Sequence, residues 1–127
     1  MLQQPSAVTQ TSIVSDPAGQ ILGSALRALS LEIQRESTGI HLLSSDKTLV
    51  ESLLCALDQA WGVQQALRRY MLAEPSAETA AELLEQLAGE TDALRRRLWP
   101  AQGYACEALT RVIDILELAR NSLPRQP

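Results

Sequence analysis

The stretch PSAETAAELLEQLAGETDALRRRLWP, Pro75–Pro100, decides the fold. Prolines bound it at both ends, and Ser76 stands where a helix N-cap belongs. Inside it Ala80, Leu84, Leu87, Thr91, Leu94 and Leu98 are spaced by 4, 3, 4, 3 and 4 residues. That rhythm keeps one side of an α-helix apolar, and it forms a seam of the kind through which helices pack in bundles. The opposite stripe reads Glu78, Glu82, Glu85, Gly89, Asp92 and Arg96 and is predicted to face water. Acids come early in the stretch and Arg95, Arg96 and Arg97 late, as the helix dipole favours.

The flanking sequence repeats the pattern. Downstream, Ala105, Leu109, Val112, Leu116 and Ala119 predict a helix from about Ala101 to Asn121, stopped by Pro124. Glu107 and Arg111 form an i, i+4 pair expected on its outer side. Upstream, Leu49, Leu53, Leu57, Ala60, Leu67 and Met71 predict a helix that runs to about Leu72, with Leu54 and Trp61 widening its face. Ser45 or Thr48 is its expected cap, and Thr48 with Glu51 matches the reciprocal capping box. Gln64 falls within this apolar face, where it either fixes register or reaches solvent. Before it, Asp16 and Pro17 suit the N-cap and first position of a helix carrying Ile21, Leu22, Ala25, Ala28, Leu29 and Ile33. Glu36 would enter its apolar face if this helix ran on, so its end is expected between Arg35 and Thr38, with Gly39 as the stop. The connector that follows carries Ile40, Leu42 and Leu43, expected to seal one end of the core.

The whole chain has 127 residues, one domain's worth. Leu (22) and Ala (17) outnumber Val and Ile (11 together) and Phe is absent, which favours helices over sheets. The prediction is an all-α protein: an antiparallel four-helix bundle over residues 16–123, a flexible N-terminal tail 1–15 and a C-terminal tail 124–127. Residues 1–15 carry no charged side chain. The β-prone stretch Ala7–Val14 gives the alternative, a segment docked on something.

Composition excludes several classes of function. The net charge is −4 and the isoelectric point near 4.9, so general nucleic-acid binding is disfavoured. No apolar run approaches the roughly 18 residues that a membrane span needs. No basic segment followed by an apolar one opens the chain, so no secretory signal is expected. Cys55 and Cys106 form no metal-binding spacing or disulfide framework. The expected setting is the reducing cytoplasm, without a cofactor or metal.

Each candidate for chemistry competes with a structural role. His41 is the one histidine, followed by Leu42, Leu43, Ser44 and Ser45. The stretch resembles the H-x-L-K-G-S pattern of histidine phosphotransfer domains in its His, one Leu and a Ser; the Lys and Gly are missing. Those domains are four-helix bundles, and the resemblance implies a phosphorelay through His41. A position in the connector implies a loop histidine instead. Cys55 lacks a placed base, and Cys106 reads as packing. Glu78, Glu82 and Glu85 oppose the apolar seam and lack the Glu-x-x-His pairs of di-metal bundles, so they read as a solvated face. Arg68, Arg69 and Arg95–Arg97 read as dipole complements. Trp99 and Tyr104 flank a turn, where they are either exposed anchors or plugs for the bundle end. No triad, metal set or phosphate loop is visible, so no enzymatic activity is expected.

The unusual feature is the width of two apolar faces. At 100° per residue the last helix spreads Ala108, Val112, Ile113, Ile115, Leu116 and Ala119 over roughly 160°, with Leu118 further round. The second helix reaches about 200° when Tyr70 and Leu72 join Leu53 and Leu57. A monomeric bundle needs less, so Leu54, Trp61, Tyr70, Leu72, Ile113, Ile115 and Leu118 are the expected partner-binding residues. The expected function is a non-enzymatic protein–protein interaction or regulatory role, as an inhibitor, anti-activator or adaptor, with a protein partner and a homodimer. A secretion-type chaperone that binds a helical segment of its client is the alternative from another class.

Overall fold

A computed structural model of the chain describes residues 17–43, 45–73, 76–100 and 102–124. The predicted tail 1–15, Asp16 and residues 125–127 lie outside the described residues. Four helices follow one another: α1 (Pro17–Leu42), α2 (Lys47–Leu72), α3 (Ala77–Leu98) and α4 (Gly103–Ser122). The connectors between them are at most four residues long, which leaves consecutive helices no choice but to run antiparallel. The fold is the antiparallel four-helix bundle that the heptad-like seam predicts.

The helices do not sit at the corners of a regular square. α4 is central: it packs against α3, α1 and α2, while α1 also packs along α2. α3 leans on α4 and touches α1 and α2 only lightly. That arrangement accounts for the wide face of α4. Ala108, Val112, Ile113, Leu116 and Ala119 are all buried because a helix with three neighbours needs an apolar surface toward each.

The main core joins Leu22 and Leu29 of α1, Val63 and Leu67 of α2, Leu84 and Leu87 of α3, and Val112 and Leu116 of α4. Burying each such side chain stabilises the fold by about 1.5–3 kcal/mol relative to exposing it. The second cluster, at the other end, is thinner: Ala56, Ala105, Ala108 and Leu109, with Leu94 and Leu98 partly buried against it. Two polar pins cross between helices and fix their register. Gln64, buried on α2, donates to the Ser30 hydroxyl of α1 at 2.7 Å. Gln59 donates to Thr91 of α3 at 3.0 Å, and the fully buried Thr91 hydroxyl donates in turn to the Leu87 carbonyl. Both groups are satisfied, as burial demands.

Three local expectations are corrected. α1 does not stop near Gly39 but continues to Leu42, closed by a bond from Leu43 N–H to the Gly39 carbonyl at 2.9 Å. A glycine ends a helix through a left-handed backbone, and no described glycine has a positive φ. As α1 runs on, Leu42 turns outward, so only Ile40 and Leu43 are half-buried at that end. The cap of α2 is Asp46, not Ser45 or Thr48: its carboxylate accepts from Leu49 N–H at 3.1 Å, and it adds a negative charge where the helix dipole favours one. The expected outer pair of Glu107 with Arg111 also gives way, because Arg111 turns to Glu32 of α1. Ser76 caps α3 as predicted, accepting from Thr79 N–H at 3.3 Å.

Candidate functional site

The seven residues read as a partner surface divide into two groups. Ile113 is 7% exposed and belongs to the interior, which corrects its place on that surface. Ile115 packs on the core from its edge. Tyr70 is a plug: it packs on the core, and its hydroxyl accepts from Ser76 N–H at 3.2 Å and bonds Thr79 at the start of α3. Leu54, Trp61, Leu72 and Leu118 remain exposed. Leu72 is 88% exposed at the last position of α2.

Leu54 and Trp61 are seven residues, two helical turns, apart on one side of α2. They are 48% and 54% exposed. With Leu57 and Asp58 they line a groove of about 290 Å³ whose other wall is Ile33 and Ser37 of α1. Leu118 rims a second groove, of about 320 Å³, between α1 and α4; Ile21, Ala28 and Ile115 also line it. A third groove, about 610 Å³, lies between the end of α3 and the first half of α4. Arg95, Arg96, Arg111 and Glu107 line it, together with Trp99 and Thr110. Trp99 and Tyr104 are both exposed and do not plug the bundle end.

The feature that sequence reasoning missed is an acid pair in the interior. The inward stripe of α1 runs Ala18, Leu22, Ala25, Leu29, Glu32, Glu36, spaced 4, 3, 4, 3 and 4 like the seam of α3. Its last two members are buried carboxylates, Glu36 being 3% exposed. Arg111 of α4 donates from Nε to Glu32 Oε1 at 2.6 Å. Neither oxygen of Glu36 has a hydrogen-bond partner. One guanidinium thus faces two carboxyls, and the second carboxyl keeps its proton. Burial chiefly pushes Glu36 up to about 8; the Glu32 charge and the hydrogen bond that a protonated Glu36 can give Glu32 push the same way, against the pull of Arg111.

The other candidates lie apart. His41 is exposed in the last turn of α1 and not in a loop, which corrects the connector placement. Cys55 is exposed on α2, while Cys106 is buried on α4 and its thiol points at the Arg95 carbonyl, 3.5 Å away. Burial pushes the Cys106 thiol up, against the opposing effect of Arg95. Glu78, Glu82 and Glu85 face solvent. Among the described residues no group of three or more His, Cys, Asp or Glu is placed to hold a metal ion, and no helix is long and apolar enough to cross a membrane. Set against protein-family models, curated proteins and solved structures, the chain matches none.

Proposed function

We propose that this is a non-enzymatic binding protein of the cytoplasm, an inhibitor, anti-activator or adaptor, that holds a partner protein against the α1–α2 face and self-associates as a homodimer. One observation supports the reading above the others: Leu54 and Trp61 stay half exposed at helical spacing beside a groove walled by Ile33 and Leu57. An exposed Trp two turns from an exposed Leu is how one helix presents anchors to another. The wide face of α4 lends less support, since Ile113 serves the interior and only Leu118 of its expected anchors stays exposed, and the proposed surface contracts to α2.

The test is solution mass by light scattering over a concentration series, for the wild type and for the Leu54→Asp and Trp61→Ala variants. A mass near twice 13.9 kDa that falls to one chain in both variants supports self-association through α2. A thiol-specific spin label on Cys55, the residue after Leu54, then reports a short distance between copies. A wild-type monomer would remove the homodimer and leave a different partner. A dimer unaffected by either substitution would remove the α2 surface.

A further inference from the structure

The α3–α4 groove lies on other helices than the proposed partner face and is built differently. Its volume of about 610 Å³ falls within the range of small-molecule sites, roughly 300–1,000 Å³. Three of its lining residues are arginines and one, Glu107, is an acid, in a chain whose net charge is −4. The arginines do not all serve the C-terminal dipole of α3, because Arg111 comes from the middle of α4.

The geometry of the guanidiniums is the stronger observation. Arg96 meets Asp92 through its Nε at 2.9 Å, and Arg111 meets Glu32 through its Nε at 2.6 Å. The acid takes the Nε edge of Arg111 in a hydrogen bond, while Arg96 is ion-paired with Asp92 without one, and the terminal amino groups of both have no hydrogen-bond partner among the described residues. That terminal edge is the fork that grips an oxyanion with two parallel N–H donors. Arg95 is held too, by Asp92 and by Thr110 at 3.0 Å. Arg95 and Arg111 are thus held from behind, which lowers the cost of ordering them around a ligand, and Arg96, with its side chain 80% exposed, stands beside them. Beside them Trp99, 66% exposed, offers a flat apolar face.

We propose that the α3–α4 groove binds a small anion with a flat apolar body, its carboxylate or phosphate held by Arg96 and Arg111 and its ring laid against Trp99.

The test uses the full chain with Trp61→Phe, which leaves Trp99 as the sole tryptophan. The probe is 1-anilinonaphthalene-8-sulfonate, read by energy transfer from Trp99. One saturable site is expected, displaced by benzoate or phenyl phosphate and not by benzyl alcohol; the stronger competitor identifies the oxyanion. Arg96 is exposed, so Arg96→Gln leaves the fold intact, and it weakens binding about tenfold. Leu118→Asp, in the α1–α4 groove, leaves binding unchanged. The proposal is overturned if no transfer from Trp99 is seen, if benzyl alcohol competes as well as benzoate, or if Leu118→Asp abolishes binding while Arg96→Gln does not.

Discussion

At the scale of the residue, Glu36 governs how stability depends on pH. An unfolded chain gives up this proton near the ordinary value of 4.5, whereas the folded chain holds it to about 8. The contribution of this group is therefore whole below pH 4.5 and is lost as pH rises through 8, at no more than about 1.4 kcal/mol per pH unit. Glu36→Gln keeps the shape and removes the titration. The variant is expected to melt higher than the wild type at pH 8 and to lose the downward slope between pH 5 and 8 in thermal scans. A slope that persists in the variant would place the titration elsewhere. The pattern behind this was on view in the sequence, since Glu32 and Glu36 continue the 4-3 spacing of Ala18 to Leu29. Sequence alone favours a helix end there, because burying an acid costs more than stopping a helix. What spacing within α1 could not reveal is Arg111, 79 positions away, as the cation that makes the longer helix tolerable.

At the scale of the element, helix existence was legible and helix ends were less so. The cores of all four helices follow from periodicity, because apolar spacing depends only on residues a few positions apart. Caps are decided by one dihedral pair. Asp46 holds an extended backbone before α2, which leaves Thr48 inside its first turn and Glu51 past it. Asp46→Ala is accordingly expected to cost about 1 kcal/mol in chemical denaturation, and Thr48→Ala a few tenths. The reverse order would restore the capping box at Thr48. Polar residues on apolar stripes were ambiguous for the same reason that ends were: Gln64 and Thr91 are read correctly only when Ser30 and Gln59 are seen opposite them.

At the scale of the whole molecule, neighbours decide what a wide face means. α2 and α4 look alike on a helical wheel, but α4 has three helices around it and α2 keeps an outer side. No single-helix pattern carries that distinction, so Ile113 and Trp61 could not be told apart from sequence. Ile113→Asp is expected to abolish cooperative unfolding or lower stability by about 3–5 kcal/mol. Leu118→Asp is expected to change it by about 0.5 kcal/mol or less, because that side chain already meets water. Equal effects in calorimetry would contradict the central position of α4. That position also bears on biosynthesis. The ribosome delivers the helix that holds the others together after those others have emerged. α1 and α2 can pair as a hairpin while the chain is still being made, but α3 has little to rest on until α4 arrives. For the interval between them the Leu84 and Leu87 seam is open to solvent, and a pause in translation between residues 98 and 123 lengthens the time in which a chaperone, or another nascent chain, can reach it.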